Sequence, residues 1–381
     1  MSLICKISIQ WVLLLTFLST TIGGCEISPG DGNQIISKLQ LPDGFKAEVF
    51  ADNVPNARQL AMGENGIIYV GSREAGNVYA IVDKNKDYKA DTVYTVARDL
   101  RMPSGITYHN GSLYVAAVST VYRYDDIGAN LTNPTDPVII TESYPEDGHH
   151  GWKFIDFGPD GKLYIPVGAP CNICNPADEI FATITRINPD GTNREIIAKG
   201  VRNSVGFDWN PKTNDLWFTD NGRDWLGDNR PPCELNHLSQ MGQHFGYPYK
   251  HGDDIWDPEF GKKGKTMDKD FKDPAQDLDP HVAPLGMIFY TGDMFPEAYH
   301  NQILIAEHGS WNRTEKIGYR ITKVTLKDGE TTSYEPFIEG WLQDNESVWG
   351  RPVDLLQLPD GSVLISDDHS GVIYRISYQN N

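Results

Sequence analysis

The sequence lacks any cluster of basic residues. Its 33 lysines and arginines are spread among 52 acidic residues over 381 positions, and the formal net charge is −19. Binding to nucleic acid depends on a basic face or stripe that neutralises phosphates. The composition therefore excludes a nucleic-acid partner, and it is compatible with a soluble acidic surface, with bound calcium, or with both.

The chain also has little that would build long helices or span a bilayer. No long stretch keeps apolar residues at helical spacing, because 36 glycines and 24 prolines interrupt the pattern. Beyond residue 25 no apolar run reaches the roughly 18 residues expected of a membrane-spanning helix. These absences exclude a helical bundle, and they exclude a spanning helix beyond the N-terminal segment.

Cysteine is scarce, with five residues in the whole chain. In an exported protein, the pair Cys171 and Cys174 predicts a local disulfide, or one of the two pairs with Cys233. A zinc site would need a second pair or histidines at ligand spacing, and none is adjacent in sequence. A disulfide is therefore preferred to a metal or redox site.

Residues 1–25 have the pattern of an export signal, with Lys6 followed by the apolar core Trp11 to Leu18. The segment ends on Ile-Gly-Gly-Cys, which resembles a bacterial lipobox and predicts lipidation at Cys25; the alternative is a plain signal peptide. Glu26 is not the aspartate expected for inner-membrane retention, so we expect an exported lipoprotein, periplasmic or at the cell surface, anchored in the outer membrane. The polar, Gly-rich residues 26–40 are predicted to be a tether.

One unit returns six times after residue 41: an apolar strand, a turn of Asn, Asp and Gly, a strand of the type Leu-Tyr-Val, and a further short strand. The central strands of the copies start near Ile67, Ser112, Lys162, Asp215, Gln302 and Ser362. Strand alternation, Asx-Gly turns and repeats of this length are typical of β-propeller blades. The sequence predicts an all-β fold, a six-bladed propeller over residues 41–377.

Two segments stand outside this repeat. Residues 223–280, polar and rich in Asp, Lys and Pro, are predicted to be a long loop insertion between blades four and five that covers one face of the propeller. The run from Asp83 to Asp91 has acidic residues at calcium-loop spacing, but Tyr88 occupies the position where such loops carry glycine. A solvated turn explains that run equally well.

The loops between blades converge on the axis of a propeller, so residues far apart in sequence can meet there. The candidate site residues in or beside these loops are His150, Arg202, Asn203, Asn221, Gly222, His281, His308, Arg313 and Arg351. Several arginines in one pocket are costly unless an anion lies among them. A small molecule with several negative charges, held by bidentate pairs, fits this set.

Six motifs, in order along the chain, resemble the soluble glucose/sorbosone dehydrogenases that use pyrroloquinoline quinone (PQQ). They are HHGWKFIDFGPDGKLYIPVGAP, GVRNSVGFDWNP, TDNG, HVAPLGMIFYTGDMFP, AEHGSWNR and GRPVDLLQLPDG. The resemblance implies a six-bladed propeller that oxidises a sugar, aldose or related alcohol or aldehyde by hydride transfer to PQQ, with calcium as a second cofactor. It also implies a quinone or cytochrome electron acceptor.

The resemblance assigns roles residue by residue. His150 matches the catalytic histidine that takes the hydroxyl proton, and Arg202 with Asn203 matches the pair that holds the quinone oxygens. Arg351 matches an arginine on a PQQ carboxylate. The family's neighbouring arginine is replaced by Val353, and its lysine has no clear counterpart.

The remaining assignments fill the rest of the pocket. Arg313 is the expected substitute for that lysine, with His308 next, and His281 lies where a further cofactor contact is expected. Asn221, Gly222 and Arg223 fall where the family binds calcium; Gly222 and Arg223 would offer backbone carbonyls. The family has glutamine and proline in place of Asn221 and Arg223.

Two other functions remain open at the level of the sequence. A non-catalytic propeller lipoprotein could bind carbohydrate or a protein through the same face. A calcium-dependent lactonase or hydrolase would place several acidic ligands around the axis, whereas the axial set here is arginine, asparagine and histidine. The dehydrogenase is therefore preferred, the binding propeller comes second and the hydrolase last.

Overall fold

The structure is a computed structural model that describes residues 32–379. The predicted export signal, the lipidation site at Cys25 and the first part of the tether lie outside these residues. Within the described part, no helix is long and apolar enough to cross a membrane.

The described chain forms six sheets of at least four strands each. Numbered along the chain, the strands of the first half are β1 (Phe45–Ala51), β2 (Ala57–Met62), β3 (Ile68–Ser72), β4 (Val78–Val82), β5 (Thr92–Ala97), β6 (Gly105–His109), β7 (Ser112–Ala116), β8 (Val121–Asp125), β9 (Val138–Thr141), β10 (Asp156–Phe157), β11 (Leu163–Val167), β12 (Thr183–Ile187) and β13 (Glu195–Lys199). Blade 1 is β2–β5, blade 2 is β6–β9 and blade 3 is β10–β13.

The second half continues with β14 (Phe207–Trp209), β15 (Leu216–Asp220), β16 (Cys233–Leu238), β17 (Gln243–His244), β18 (Lys250–His251), β19 (Ile255–Trp256), β20 (Gln276–Leu278), β21 (Pro284–Phe289), β22 (Ile303–Glu307), β23 (Arg320–Lys327), β24 (Glu330–Ile338), β25 (Pro352–Gln357), β26 (Val363–Asp367) and β27 (Val372–Tyr378). Blade 4 is β14, β15, β16 and β20, blade 5 is β21–β24, and blade 6 is β25–β27 with β1. Helices are short: α1 (Gly32–Ile36), α2 (Gly261–Gly264) and three single 3-10 turns at Glu64–Gly66, Ile127–Ala129 and Glu297–Tyr299.

The six-bladed prediction is confirmed, and each predicted central strand is the second strand of a blade. Strands β3, β11, β15, β22 and β26 are buried along their whole length. One face of each packs on the preceding blade and the other on the following blade, so a short continuous apolar run is what such a strand requires. In the turn before β11, Gly161 has φ of +72°, a left-handed conformation that favours glycine.

The ring is closed by the N-terminal strand. β1 pairs antiparallel with β27, from Phe45 opposite Tyr378 to Ala51 opposite Ile373, and so becomes the outer strand of blade 6. Phe45 lies within 4.9 to 5.2 Å, between ring centroids, of Phe295, Tyr299, Phe337 and Tyr378. Both ends of the described chain are thereby joined in one blade.

The predicted position of the insertion is wrong. Residues 223–280 contain β16 and β20, the third and fourth strands of blade 4, so the added length belongs to the loops of that blade and does not separate blades four and five. These residues also carry the hairpin β18–β19 and the strand β17, which pairs parallel with β13 of blade 3. Short polar strands of two or three residues give no alternation long enough to recognise in the sequence.

The last part of the predicted tether is folded. Ile35 and Leu39 are buried in the core between blades 5 and 6, and Gln40 pairs antiparallel with Glu339. The apolar residues Ile35, Ile36 and Leu39 stand at helical spacing within a polar stretch, so residues 32–40 pack on the propeller.

Polar side chains join neighbouring blades near the axis. Gln59 of blade 1 accepts the backbone N–H groups of Ile106 and Ile155, which belong to blade 2 and to the segment entering blade 3. The carboxylate of Asp208 in blade 4 accepts a hydrogen bond from the backbone N–H of Phe289 in blade 5. The carboxylate of Asp354 in blade 6 accepts one from the backbone N–H of Leu60 in blade 1. These bonds satisfy buried backbone groups and fix the relative positions of the loops at the axis.

Candidate active site

The predicted residues meet in a cavity of about 370 Å³ formed by the loops that connect the blades. Of the predicted set, the cavity is lined by His150, Arg202, Asn203, Asn221, Gly222, His281, His308 and Arg351. A larger depression of about 620 Å³ lies between β1 and β5, but no histidine or arginine lines it. Of these two, the cavity of about 370 Å³ is the one lined by both histidine and arginine.

His150 is the buried member of the histidine pair, and His149 beside it is exposed. The Nδ1 atom of His150 lies 2.8 Å from the carbonyl oxygen of Ala169. A carbonyl only accepts, so Nδ1 carries the proton and Nε2 is left with a free lone pair. Burial, followed by the positive charge of Arg202, holds the pKa of His150 well below its usual value, so the imidazole stays neutral.

The backbone around His150 is closely fitted. Its φ is +52°, and a Cβ on Gly168 would lie 2.5 Å from the Cβ of His150. Only glycine fits at position 168, because the two backbone segments approach each other there. The orientation of the imidazole is therefore determined by β11, whose chain continues into Gly168 and Ala169.

Arg202 makes a hydrogen bond through each of its three side-chain nitrogens, and one N–H of Nη1 is left without a partner within residues 32–379. Its Nε donates to the Asn172 carbonyl at 2.9 Å, its Nη2 to the Asn172 side chain at 2.9 Å, and its Nη1 to the Asn221 carbonyl at 3.1 Å. Nη2 also lies 3.5 Å from a carboxylate oxygen of Asp224. Burial lowers the pKa of Arg202 from its usual value. The guanidinium is thus held in one orientation at the cavity wall.

Acidic residues at the ends of two second strands hold the arginine-bearing segments. Asp220, which ends β15, accepts the backbone N–H groups of Arg202 and Asn203 at 2.8 and 2.6 Å. Asp367, which ends β26, accepts that of Arg351 at 2.9 Å. The two blades therefore use the same device to position an arginine. The side-chain amide of Asn203, in contrast to its backbone N–H, makes no hydrogen bond within residues 32–379. Asn203 lines the cavity.

Arg351 lies on the opposite wall. Its guanidinium donates to the carbonyls of His308 and Gly309 at 3.0 and 2.8 Å. No carboxylate of residues 32–379 forms an ion pair with Arg351. Its charge is therefore balanced by the two carbonyl dipoles and by the ring of Tyr319, whose centre lies 5.3 Å from the guanidinium carbon, as expected of a group that receives an anionic ligand.

Two arginines of blade 1 were missed by the sequence analysis. Arg58 lines the cavity and pairs with Asp368 at 2.8 Å, and the same carboxylate lies 2.8 Å from Nε2 of His308. Arg73 lines the cavity with its guanidinium 4.1 Å from the ring centre of Trp152. Both lie in or beside the first copy of the repeat, and nothing else in the sequence distinguishes them from other arginines.

The other two predicted histidines, His308 and His281, differ from His150 in the ring nitrogen that is hydrogen-bonded. Burial lowers the pKa of His308 to about 4, and its bond to Asp368 identifies Nε2 as the donor, so His308 is a neutral member of the Arg58–Asp368 network. His281 lines the cavity while its Nε2 lies 2.9 Å from the Gly227 carbonyl. Both imidazoles are therefore bonded through Nε2, whereas His150 is bonded through Nδ1 and keeps Nε2 free.

Two predicted residues do not present their side chains to the cavity. Arg313 is not part of its lining and donates instead to Asn229 at 2.9 Å. The guanidinium of Arg223 is buried and bonded to Asp257 at 2.6 Å. Asn221 lines the cavity, but its amide donates to the carbonyls of Asn203 and Pro284, which ties the end of blade 4 to blade 5.

The predicted calcium position has backbone carbonyls and few charged ligands. Gly222 lines the cavity, and a Cβ there would meet the Pro232 carbonyl at 2.6 Å, so this position needs glycine. Within residues 32–379 no three His, Cys, Asp or Glu side chains are grouped to hold a metal. Asp224 is the one carboxylate that lines the cavity. Because the Arg223 guanidinium is paired with Asp257, it does not oppose a cation at the carbonyls.

The cysteine prediction is settled in favour of the local pair. Cys171 and Cys174 form a disulfide, and Cys233 is free and buried. The loop closed by this disulfide contains Asn172, which also accepts from the backbone N–H of Asp224 at 2.8 Å. The disulfide therefore encloses the residue that orients Arg202.

Comparison with known proteins agrees with this arrangement. The family described as "Glucose / Sorbosone dehydrogenase" matches residues 112–375. The chain belongs to the glucose/sorbosone dehydrogenase family. Blade 1 precedes the matched region, and it supplies Arg58 and Arg73.

Two relatives show how the family match extends along the sequence. An uncharacterized protein of Borreliella burgdorferi is 37% identical over 360 residues, which covers 91% of this chain and 92% of the relative. The aldose sugar dehydrogenase YliI of Escherichia coli is 23% identical over 290 residues, covering 68% of this chain and 69% of the relative. Members of the family thus share most of this chain.

Solved structures share the fold. The holo form of the pyranose dehydrogenase PQQ domain from Coprinopsis cinerea has a TM-score of 0.73 at 18% identity, covering 89% of this chain and 97% of that chain. The apo form of the soluble aldose sugar dehydrogenase from Escherichia coli has a TM-score of 0.67 at 19% identity, covering 88% and 100%. This member of the glucose/sorbosone dehydrogenase family therefore shares its propeller fold with both of these solved proteins.

Proposed function

We propose that the protein is a quinoprotein dehydrogenase that oxidises a sugar, or a related alcohol or aldehyde, with PQQ and calcium. The observation that supports this most directly is the hydrogen bond from Nδ1 of His150 to the Ala169 carbonyl. It leaves a neutral imidazole with a free Nε2 in a cavity whose wall carries Arg58, Arg73, Arg202 and Arg351. A base beside several cations suits an anionic cofactor and an alcohol substrate.

The arginines fit the chemistry of PQQ, which carries carboxylates and quinone oxygens. Arg351 would bind a carboxylate, because its charge has no ion-pair partner within residues 32–379. The family's neighbouring arginine is replaced by Val353 in this chain, and its lysine has no clear counterpart. Arg58 and Arg73, which line the cavity, would supply basic contacts in their place. Arg202 and Asn203 would donate hydrogen bonds to quinone oxygens. Bound PQQ supplies an electrophilic carbon that accepts a hydride.

The protein's own residues would carry the proton transfer. Nε2 of His150 would take the hydroxyl proton of the substrate while a hydride leaves the carbon that bears this hydroxyl, so that the carbon becomes a carbonyl. The imidazolium formed is stabilised at Nδ1 by the Ala169 carbonyl. Arg202, fixed by Asn172 and Asn221, is oriented before the substrate arrives and does not reorganise.

Calcium would be held by the main-chain carbonyls of Gly222 and Arg223. Calcium accepts such oxygen ligands, and it would act as a Lewis acid on the quinone. The electron acceptor would be a quinone or a cytochrome. We further propose that the chain is exported and lipidated at Cys25, which places this chemistry in the periplasm or at the cell surface with an outer-membrane anchor.

Titration of the purified protein with PQQ, with and without Ca²⁺, tests the proposal. We expect a change in the absorption spectrum of PQQ at one equivalent, and dye reduction with members of a sugar panel. Arg351→Gln should weaken PQQ binding by about 10- to 100-fold, because one charged contact is lost. Arg313→Gln is the matched control, since its side chain does not line the cavity.

Absence of PQQ binding at micromolar concentration would overturn the proposal. Sugar binding in the absence of any PQQ binding would support the alternative, a non-catalytic carbohydrate-binding propeller. For the lipid anchor, incorporation of labelled fatty acid should be lost in Cys25→Ala, and equal labelling of both proteins would contradict it.

A further inference from the structure

Two exposed tryptophans stand together beside the cavity. Trp225 and Trp311 are each 67% exposed, and their rings meet edge to face with centroids 5.6 Å apart. Trp311 lines the cavity, and Trp225 directly follows the cavity residue Asp224. Large aromatic side chains are seldom left this exposed in pairs unless they bind something.

The two rings are carried by loops that are bonded to each other. One loop connects β15 and β16 of blade 4, and the other connects β22 and β23 of blade 5. Three contacts join residues next to the tryptophans: Asn312 to Asp224 at 2.8 Å, Arg313 to Asn229 at 2.9 Å, and Thr314 to Asp228 at 3.3 Å. The rings are therefore held in place without any core around them.

The backbone of Trp225 supports a functional role for this arrangement. Its φ is +70°, in the left-handed region that bulky residues rarely adopt. Burial of the ring does not compensate for this, because the ring is exposed. Strain of this kind is found most often at ligand-binding positions.

The size of the cavity limits what can fit inside it. About 370 Å³ is near the lower limit for small-molecule sites, and a planar tricyclic quinone with its carboxylates would fill much of it. A sugar presenting one hydroxyl to His150 would then extend through the mouth towards Trp311 and Trp225. Flat apolar faces of pyranose rings stack on exposed tryptophan, as other amphipathic ligands do.

We propose that Trp225 and Trp311 form a subsite for a second pyranose ring, so that the substrate is an oligosaccharide or glycoside and not a free monosaccharide. This inference depends on the proposed dehydrogenase function for the position of the reacting unit. The subsite itself is formed by the protein alone. Asp224 and Asn229 carry polar groups beside the rings for sugar hydroxyls.

Sugar binding to the protein without PQQ tests the subsite independently of catalysis. The probes are glucose, cellotriose and maltotriose, and the readout is tryptophan fluorescence confirmed by calorimetry. We expect at least one trisaccharide to bind about tenfold more tightly than glucose, equivalent to about 1.4 kcal/mol. Trp225→Ala should remove that advantage, and Trp225→Phe should keep part of it because a smaller ring still stacks.

Met241→Ala is the control, since Met241 is 58% exposed and lies in the depression beside Trp209, away from the cavity. In the PQQ-loaded enzyme, Trp225→Ala should raise KM for the trisaccharide more than it lowers kcat. Equal affinity for glucose and both trisaccharides, or a trisaccharide advantage that survives in Trp225→Ala, would overturn the subsite. Failure of PQQ binding with a tryptophan-dependent trisaccharide advantage would overturn the dehydrogenase and keep the subsite.

Discussion

At the scale of the residue, one hydrogen bond distinguishes His150 from its neighbour His149. Nδ1 of His150 is bonded to the Ala169 carbonyl, whereas His149 is exposed and its ring centre lies 4.1 Å from that of His150. The bond selects the tautomer, and burial keeps the ring neutral. His149 also lines the cavity, and burial lowers its pKa as well, but no hydrogen bond within residues 32–379 selects its tautomer.

His150→Asn should reduce kcat of the PQQ-loaded enzyme by about 10²- to 10⁴-fold, the usual contribution of a general base. Asparagine keeps a polar side chain of similar size but has no basic nitrogen. PQQ titration should show the cofactor still bound. His149→Asn is the control and should cost less than about tenfold; an equal loss in both variants would contradict the assignment of the base.

At the scale of the element, a loop of four residues orients the central arginine. The segment Cys171 to Cys174 is closed by a disulfide, and it is joined to the insertion because the backbone N–H of Cys174 donates to the Tyr247 hydroxyl at 3.0 Å. Asn172 in this loop contacts both Arg202 and Asp224. The lengthened loops of blade 4 therefore support the active site.

Asn172→Ala should lower kcat/KM about 10- to 100-fold, because its side chain bonds to Arg202 and to the backbone of Asp224 and each buried bond contributes about 1–3 kcal/mol when its partner is left unpaired. Steady-state kinetics and PQQ titration measure the effect. Asn175→Ala is the control, since Asn175 accepts a single bond, from Tyr249. Indistinguishable kinetics for the two variants would show that the loop does not position Arg202.

At the scale of the whole molecule, stability depends on closure of the ring. β1 is the outer strand of blade 6 although it precedes blade 1 in the chain, and closure covers strand edges that would otherwise be open. Phe45 joins this strand to the aromatic residues of blades 5 and 6.

Phe45→Ala should lower the free energy of unfolding by about 3–5 kcal/mol, the usual effect of removing a buried aromatic ring. Urea unfolding followed by circular dichroism measures it. Ile139→Ala, at a residue of β9 that is 53% exposed, should change stability by less than about 0.5 kcal/mol. A similar small effect for Phe45→Ala would mean that β1 contributes little to closure.

Buried acids give the molecule a pH-dependent stability. Burial raises the pKa of Asp208 and Asp354 to about 7 and that of Glu234 to about 8, whereas in the unfolded chain these groups ionise near pH 4. At these three carboxyls only the folded state releases protons between pH 6.5 and 8.5, so their contribution to stability falls as pH rises, by up to about 1.4 kcal/mol per pH unit for each group.

Urea unfolding at pH 6.5 and pH 8.5 should show the lower midpoint at pH 8.5. Asp208→Asn should reduce the difference between the two midpoints, because asparagine does not ionise. Its amide oxygen can still accept the hydrogen bond from the backbone N–H of Phe289 that Asp208 accepts. Equal midpoints at the two pH values in the unchanged protein would show that these carboxyls ionise normally in the folded state.

The sequence by itself determined the blades. Alternation in strands, the Asx-Gly turns and the buried central strands are local properties that recur in each copy, so six blades could be counted and His150, Arg202 and Arg351 placed at the axis. Local patterns fail where elements are short. β20 and the hairpin β18–β19 therefore went unrecognised inside residues 223–280. β16 has six residues, but they alternate between apolar and polar only from Cys233 to Asn236.

The tertiary structure alone decided the composition of the cavity wall. Arg58 meets Asp368 across 310 positions of sequence, and Arg73 meets Trp152, because the ring closes and brings blade 1 beside blade 6 and the start of blade 3. Arg313 was placed by motif as a cofactor contact, but its guanidinium bonds to Asn229 instead. Arg223 was placed only through its backbone carbonyl, and its guanidinium bonds to Asp257. The direction of a long side chain depends on partners brought near only by the closed ring, and no local pattern encodes that.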